Sequence, residues 1–325
     1  MKRFSIWIGV LIIGGIGFLF FQHDGSAKER ISTPFSAVER SNLEKTLPER
    51  ITLPELSIQA KSVILLDANT GHVLYEKNKD QALPPASMSK IMTELLVLEA
   101  IESQEISWDQ AVTPSEYVQM IANSPGLAAV SLQQGQTYTV HELFEAMAIH
   151  SANDAAIALA ETVAGSEGAF VKLMNERAGQ LGLDQSQFVN SSGLNNRDLG
   201  KYRSTGGTNE DNQMSAQDLA RLAQRLLIKY PEILETAEKP ILMFGENTYG
   251  NTNLMLPGVG SSLEYGGVDG LKTGFTDEAG YCFIGTVERD GTRLISVVMG
   301  TDSLNARFAE TIKLYDAAFS LISTR

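Results

Sequence analysis

Cysteine is nearly absent from the sequence: Cys282 is the one cysteine among 325 residues, which excludes an internal disulfide framework. It lies in the apolar run 281–287, a position typical of a buried structural thiol rather than a reactive one. Histidine is scarce as well, and the four copies show no metal-ligand spacing. They are His23, His72, His141 and His150. We therefore expect neither a catalytic metal nor another bound cofactor.

Basic residues are fewer than acidic ones: the sequence has 26 Lys and Arg and 39 Asp and Glu, which gives a formal net charge of −13. Nucleic-acid binding requires clustered Lys and Arg, and no such stripe occurs here, so nucleic acid is excluded as a partner. The negative charge itself mainly favours solubility. What the chain does have is 43% hydrophobic residues, enough to bury a large core in one large domain or two small ones.

One long apolar run, residues 4–21, follows Lys2 and Arg3 at the N-terminus. This pattern is typical of a segment that keeps its charged end in the cytoplasm and carries the rest of the chain across the membrane. The run is long enough to span a bilayer, while Gly25-Ser26-Ala27 offers a cleavage site. Residues 1–27 are therefore expected to form either a signal peptide or an N-terminal membrane anchor. Both outcomes predict an extracytoplasmic protein, associated with the cell membrane or secreted to the cell wall.

Residues 28–58 are polar, charged and interrupted by Pro34, Pro48 and Pro54, which predicts a flexible linker. The folded domain is expected over residues 59–325. It begins with two apolar runs, 62–67 and 73–75, on either side of an Asn-Thr-Gly turn, the pattern of a β-hairpin.

Helical periodicity dominates the middle of the domain, and strand patterns return near its end. The predicted helices span residues 141–149, 155–163, 170–181, 215–228 and 306–321, and the late strands span residues 270–275, 281–287 and 294–299. Residues 193–212 predict a long polar loop. Strands at both ends with helices between them predict an α/β (α+β) fold, in which one antiparallel sheet is built from both chain ends, flanked by helices and with an all-helical insert.

The stretch Pro85-Ala86-Ser87-Met88-Ser89-Lys90 precedes an apolar helical pattern, so Ser87 is expected at the first turn of a buried helix. A helix start offers unpaired backbone N–H groups and the positive end of the helix dipole, both suited to an anion that forms at Ser87. Lys90 follows three residues later, which places its amine on the same helical face as the hydroxyl. A serine beside a lysine can act as a nucleophile without a histidine.

Two further short sequence patterns lie at positions where their polar side chains could contribute to catalysis. Ser151-Ala152-Asn153 interrupts two predicted helices, and Lys272-Thr273-Gly274 lies in a predicted strand. Each pattern alone has an ordinary explanation as a helix cap, a loop or a surface strand. The three together, in this order and in these local structures, indicate a catalytic constellation.

These motifs and their flanking residues resemble those of the low-molecular-mass penicillin-binding proteins of the D-alanyl-D-alanine carboxypeptidase family. The resemblance covers roughly residues 58–325 and includes four blocks: 85–93, 150–155, 268–276 and 293–300. It implies a fold of the β-lactamase and penicillin-binding transpeptidase type.

The resemblance implies a catalytic role for three side chains. Ser87 attacks the carbonyl of the penultimate D-alanine, Lys90 takes the serine proton in its neutral form, and Ser151 relays a proton to the departing D-alanine nitrogen. Burial and the nearby Lys272 would each disfavour the charged form of Lys90. Asn153 is implied to hold this lysine and a substrate amide.

The resemblance also implies a substrate-binding set. Lys272 and Thr273 receive the free carboxylate of the substrate, with Arg307 as a second partner whose planar fork suits a carboxylate. The backbone N–H groups of Ser87 and Phe275 form the oxyanion hole. The substrate lies along the strand that contains Lys272 and Gly274, as an added strand.

The implied activity is a serine-type D-Ala-D-Ala carboxypeptidase that trims the stem pentapeptides of peptidoglycan and is acylated by penicillin and other β-lactams. A D,D-endopeptidase on crosslinked peptidoglycan would use the same residues and stays open. A class A-like β-lactamase needs a glutamate for deacylation, and no Glu-x-x-Leu-Asn pattern occurs in the expected region. A non-catalytic cell-wall-binding module would have no use for an intact nucleophile. The expected partners are peptidoglycan stem peptides, β-lactams and, if residues 1–27 are retained, the membrane.

Overall fold

The computed structural model describes residues 51–323, and a five-stranded antiparallel sheet stands at the centre of this region. The predicted signal or anchor segment and most of the predicted linker lie outside the described residues. The strand order is β2-β1-β9-β8-β7, so the first two strands of the chain pair with its last three. The bounds are β1 Ser62–Asp67, β2 Val73–Lys77, β7 Val268–Thr276, β8 Gly280–Arg289 and β9 Thr292–Thr301.

The sheet is buried on both faces because its strands alternate between two hydrophobic cores. Ile64 and Leu66 of β1 point into the larger core, which contains the helical insert. Val63 and Leu65 point into the smaller core, where they meet the closing helix Leu304–Ser323. β8 and β9 are joined at Asp290-Gly291, where both residues have positive φ, as a two-residue hairpin of type I′ requires.

The helical elements between β2 and β7 form most of the predicted insert. The expectation that this insert is all-helical is wrong, because two small two-stranded sheets lie within it. The α-helices are α1 Lys90–Glu102, α2 Glu116–Ala122, α3 Val140–His150, α4 Asn153–Ala164, α5 Glu167–Gln180, α6 Ala216–Lys229 and α7 Ile233–Ala237, with α8 Leu304–Ser323 after the sheet. Two 3-10 helices span Ala86–Ser89 and Asn196–Tyr202. Two small two-stranded sheets pair β3 Ala111–Val112 with β4 Tyr138–Thr139, and β5 Ile241–Phe244 with β6 Asn247–Gly250.

The predicted α/β fold class, with one antiparallel sheet built from both chain ends, is confirmed. The short elements α2, α7, β5 and β6 were not predicted, since seven residues or fewer give too little periodicity to recognise. Within residues 51–323, no helix combines the length and the apolar character that crossing a membrane requires.

The start of the described chain differs from the predicted linker, which was expected to continue to residue 58. Ile51, Leu53 and Ile58 are buried in the smaller core. The backbone N–H of Leu53 donates to the carbonyl of Leu74 at 2.7 Å, so the segment runs beside the edge strand β2. Its few apolar residues decide the packing, although the surrounding composition is polar. The domain therefore includes residues 51–58.

Candidate active site

The predicted nucleophile lies on a tight turn that leads directly into a buried helix. Ser87 is part of the 3-10 helix Ala86–Ser89, and α1 begins at Lys90. The Nζ atom of Lys90 lies 3.0 Å from the Oγ atom of Ser87, so the spacing of three residues brings amine and hydroxyl into hydrogen-bond contact. Ala86 immediately before the serine has φ of +50° and is buried, an unusual conformation for a residue with a side chain.

The amine of Lys90 is fully buried and is held by two oxygen atoms that can only accept hydrogen bonds. Its Nζ atom lies 2.7 Å from Oδ1 of Asn153 and 2.6 Å from the backbone oxygen of Ser192. A neutral amine has two N–H bonds and one lone pair. If both N–H bonds are directed at these acceptors, the lone pair is left for the hydroxyl of Ser87.

The environment of Lys90 favours this neutral form. Burial lowers the pKa of Lys90 well below its usual value, and the positive charge of Lys272 lowers this pKa further. Glu94, buried one helical turn after Lys90, opposes the shift. Burial raises the pKa of Glu94 to about 7, although the positive charges of Lys272 and Lys90 each lower this pKa. Sequence analysis did not single out Glu94, because a lone glutamate in a helix is usually a solvated residue.

Ser151 and Asn153 are positioned by the break between two helices. α3 ends at His150, Ser151 adopts a left-handed backbone with φ of +66°, and Asn153 is the first residue of α4. The backbone N–H and the side-chain Nδ2 of Asn153 both donate to the carbonyl of Ala128, at 2.8 and 3.0 Å. These bonds fix the Asn153 amide so that its oxygen faces Lys90.

The third motif lies on β7, the last strand at one edge of the sheet. Lys272 is almost fully buried, and Thr273 donates its hydroxyl to that of Thr252 at 2.8 Å. Burial lowers the pKa of Lys272 to about 7, with Glu94 raising this pKa and the charge of Arg307 lowering it. Lys272 is therefore a cation that loses its proton far more readily than an exposed lysine.

Two glycines allow β7 and the loop after α5 to approach the turn that contains Ser87. A Cβ atom on Gly274 would lie 2.6 Å from the carbonyl oxygen of Pro85, and one on Gly193 would lie 1.9 Å from that of Ala86. Both distances are below 3.0 Å, which real Cβ atoms essentially never show. The turn that contains Ser87 is therefore packed between β7 and the loop after α5.

Arg307 lies on the closing helix α8, where an arginine is commonly exposed to solvent, but here its side chain is buried. Its side chain is 5% exposed, and Nη1 donates to the carbonyl oxygens of Gly274 and Cys282 at 3.2 and 3.4 Å. The Nε atom has no hydrogen-bond partner among residues 51–323. Burial lowers the pKa of Arg307 to about 10, so this arginine remains charged near neutral pH. Phe275, 47% exposed, covers the ring of Tyr281 at the same end of the cleft.

A cleft of about 480 Å³ joins these groups. The predicted site residues that line it are Ser87, Ser151, Asn153, Thr273, Gly274, Phe275 and Arg307. Lys90 and Lys272 do not line the cleft but lie buried behind it. A second cavity of about 620 Å³ lies between residues 52–59 and β2, and it contains none of the predicted site residues. We assign the chemistry to the smaller cleft because the nucleophile and its base meet there.

Sequence analysis missed several residues of the site. The Ser192 carbonyl, which holds Lys90, is a backbone group and has no side-chain signature. Ala128 accepts a hydrogen bond from Asn153 and Thr252 accepts one from Thr273, and neither residue belongs to a recognisable motif. Arg197 and Asp198, on the 3-10 helix of the predicted long loop, line the cleft as well. Arg197 forms an ion pair with Glu278 at 2.6 Å, so this loop reaches the turn after β7. Within the described residues, no cluster of His, Cys, Asp and Glu could hold a metal ion.

Comparison with known proteins identifies relatives over most of the described chain. A family model described as D-alanyl-D-alanine carboxypeptidase matches residues 49–303. The chain is 39% identical over 275 residues to the D-alanyl-D-alanine carboxypeptidase DacF of Bacillus subtilis, a match that covers 83% of this chain and 64% of that protein. The chain thus spans less than two thirds of the length of this relative.

Solved structures with the same fold include two whose sequence identity to this chain exceeds one third over the aligned residues. One is a peptidoglycan synthesis regulatory factor (PBP3) of Streptococcus pneumoniae, with 41% identity, a TM-score of 0.77, and coverage of 80% of this chain and 73% of that chain. The other is penicillin-binding protein D2 of Listeria monocytogenes in its ampicillin-bound form, with 36% identity, a TM-score of 0.69, and coverage of 82% and 99%.

Proposed function

Because the chain belongs to the D-alanyl-D-alanine carboxypeptidase family, we propose that it removes the terminal D-alanine from peptidoglycan stem pentapeptides through an acyl-serine intermediate. The observation that supports this most strongly is the contact of 3.0 Å between Lys90 Nζ and Ser87 Oγ. The amine is buried, its two other partners are acceptors, and the pair opens on a cleft. This is the arrangement of an activated nucleophile with its base.

In the acylation step, Ser87 Oγ forms a bond to the carbonyl carbon of the penultimate D-alanine while Lys90 takes the hydroxyl proton. The resulting oxyanion is stabilised by the backbone N–H groups of Ser87 and Phe275. The C–N bond then breaks, and the D-alanine nitrogen receives a proton by way of Ser151. In deacylation, the oxygen of a water molecule bonds to the acyl carbon and gives up a proton, the bond between the acyl carbon and Ser87 Oγ breaks, and Oγ takes up a proton as the shortened peptide leaves with a free carboxylate.

The terminal carboxylate of the substrate binds where three polar groups converge. Lys272 and Arg307 supply positive charge, and Thr273 supplies a hydroxyl. The guanidinium of Arg307 is already oriented by two backbone carbonyls, which reduces the entropy lost on binding. β7 ends the strand order on this side, so an extended peptide can add beside it.

β-Lactams are proposed to acylate the same serine, as ampicillin is bound in the crystal structure of the Listeria relative. The Glu-x-x-Leu-Asn pattern that supplies the deacylating base of a class A β-lactamase does not occur in the expected region of the sequence. We therefore expect a long-lived penicillin adduct rather than rapid turnover. A D,D-endopeptidase activity on crosslinked peptides would employ the same groups.

The first test compares products. The purified protein is incubated with a stem pentapeptide and, separately, with a crosslinked muropeptide, and the products are identified by mass spectrometry. Release of D-alanine from the pentapeptide is expected. In parallel, a penicillin adduct should map to the proteolytic peptide that contains Ser87. Cleavage of the crosslinked substrate alone would favour the endopeptidase, and an adduct at another residue would contradict the site.

The pH dependence of kcat/KM provides a second test. Lys272 binds a carboxylate only while protonated, and its pKa of about 7 means that this form is lost as pH rises through neutrality. Lys90 must be neutral, so activity is lost again at low pH as it gains a proton. We expect a bell-shaped profile whose alkaline limb lies near pH 7.

Lys272→Arg is the matched variant for this profile, because an arginine keeps its charge at high pH. The alkaline limb of kcat/KM should move upward by about one pH unit or more in this variant, whatever its maximal rate. An alkaline limb at the same pH in both proteins would show that a different group titrates there.

An extracytoplasmic location follows from the proposed substrate, which lies outside the cytoplasmic membrane. Attachment through residues 1–27 stays a prediction from the sequence, since these residues lie outside the described part of the chain.

A further inference from the structure

A buried carboxylate lies outside the cleft and has no part in the mechanism above. Glu167, the first residue of α5, is 3% exposed. Its Oε1 atom accepts hydrogen bonds from the backbone N–H of Ser191 at 3.0 Å and from the hydroxyl of the same residue at 2.6 Å. Its Oε2 atom accepts from the hydroxyl of Tyr117 at 2.8 Å. All three of these groups, two from Ser191 and one from Tyr117, donate to the side chain, as an ionised carboxylate requires.

Ser191 immediately precedes the residue whose carbonyl holds the catalytic lysine. The backbone oxygen of Ser192 lies 2.6 Å from Lys90 Nζ. The carbonyl of Ser191 itself accepts from the hydroxyl of Thr93 at 2.7 Å. Ser191 is thus fixed at both ends, by Glu167 at its N–H and by α1 at its carbonyl. Together with the N–H of Gly193, which donates to Oδ1 of Asn190 at 2.7 Å, these contacts restrain the direction of the Ser192 carbonyl.

The position of this carbonyl matters because it decides where the lone pair of Lys90 points. Asn153 Oδ1 and Ser192 O together take the two N–H bonds of the neutral amine. If the Ser192 carbonyl moved away, the amine could rotate, and one of its N–H bonds could face Ser87 instead of its lone pair. Proton abstraction would then be slowed, although every catalytic side chain would still be present.

We propose that Glu167 is a positioning residue for the acylation step, which acts by fixing Ser191 so that the Ser192 carbonyl orients the amine of Lys90. This inference rests on the proposed function, since it concerns the activation of Ser87. A purely structural role for Glu167 makes a different prediction: loss of the carboxylate would lower stability without a specific effect on acylation.

Two variants at position 167 separate these roles. Glu167→Gln keeps an oxygen for both Ser191 contacts, and its NH2 group can donate to Tyr117, whose hydroxyl can accept. Glu167→Ala removes the anchor altogether. Acylation by a fluorescent penicillin should be about 10- to 100-fold slower in Glu167→Ala, as small misplacements of catalytic groups have effects of this order. Glu167→Gln should stay within about threefold of wild type on the same grounds.

Tyr117→Phe and Ser191→Ala form a second pair, which is informative even if Glu167→Ala does not fold. Tyr117→Phe removes a bond to the same carboxylate on the side away from Ser191, so it should lower stability without slowing acylation. Ser191→Ala removes one of the two bonds between Ser191 and Glu167 and should slow acylation several-fold. Stability of each variant is measured by urea unfolding.

These measurements distinguish failure of the proposed acyl-serine function from failure of the positioning role of Glu167. If wild type formed no penicillin adduct, the proposed function and this inference would both fall. If wild type is acylated but Glu167→Ala, correctly folded, is acylated equally fast, only the positioning role is refuted. Slowing that follows unfolding free energy across all four variants, with Tyr117→Phe slowed like the others, would also refute it.

Discussion

Lys90→Met is expected to lower the rate of acylation by penicillin by about 10²–10⁴-fold, the usual contribution of a general base. Methionine is an unbranched side chain of similar length and suits a fully buried position, so the fold should be retained. Ser87 would keep its hydroxyl but lose the acceptor at 3.0 Å that removes its proton. The measurement is the second-order rate constant of adduct formation, followed by mass spectrometry.

Ser87→Ala sets the zero level for this comparison, because it lacks the attacking oxygen and should form no adduct at all. Raising the pH should not restore Lys90→Met within the range in which the protein is folded, since no other group in contact with Ser87 Oγ among residues 51–323 is a base. Acylation of Lys90→Met within tenfold of wild type would show that another residue activates the serine.

Gly193→Ala is expected to have the largest effect of any single methyl group added to the site. Its Cβ atom would lie 1.9 Å from the carbonyl oxygen of Ala86 and 3.0 Å from Ser89 Oγ. Gly193 also has φ of +78°, where an alanine is strained by about 1–2 kcal/mol. Relief of the clash requires movement of the turn that contains Ser87, and overpacking of this kind costs about 1–3 kcal/mol more. We expect both lower stability in urea unfolding and a large loss of acylation rate.

Gly135→Ala is the matched control, because Gly135 has the same φ of +78° but no atom within 4 Å of the added methyl group. It should show only the backbone strain and keep the wild-type acylation rate. Equal effects of the two substitutions would mean that backbone conformation alone requires glycine at position 193. Equal effects would also mean that the contact between residue 193 and the turn that contains Ser87 tolerates a side chain.

The local part of the site could be predicted from the sequence because its geometry arises within single elements. Ser87 and Lys90 meet because residues three apart share a helical face. The break at Ser151 was recognisable from interrupted helical periodicity, and the stretch 270–275 was recognisable as a strand with its turn. The resemblance to a known family then supplied the expectation that these three segments share one site.

The environment of these groups could not be predicted in the same way. The orientation of the Lys90 amine depends on the Ser192 carbonyl, 102 residues away in the chain, and a backbone oxygen carries no sequence signal. Arg307 was equally compatible with a solvated position on the closing helix, and only its packing against β7 and β8 places it in the cleft.

The sequence by itself determined the long helices, the main strands, and the residues that could act as nucleophile and base, since these depend on local propensity and periodicity. Tertiary structure alone decided how charged the two lysines are and where their protons point. Burial and long-range hydrogen bonds set those properties, and they arise only when distant segments, such as residues 190–193 and the turn at Ala86, are packed together.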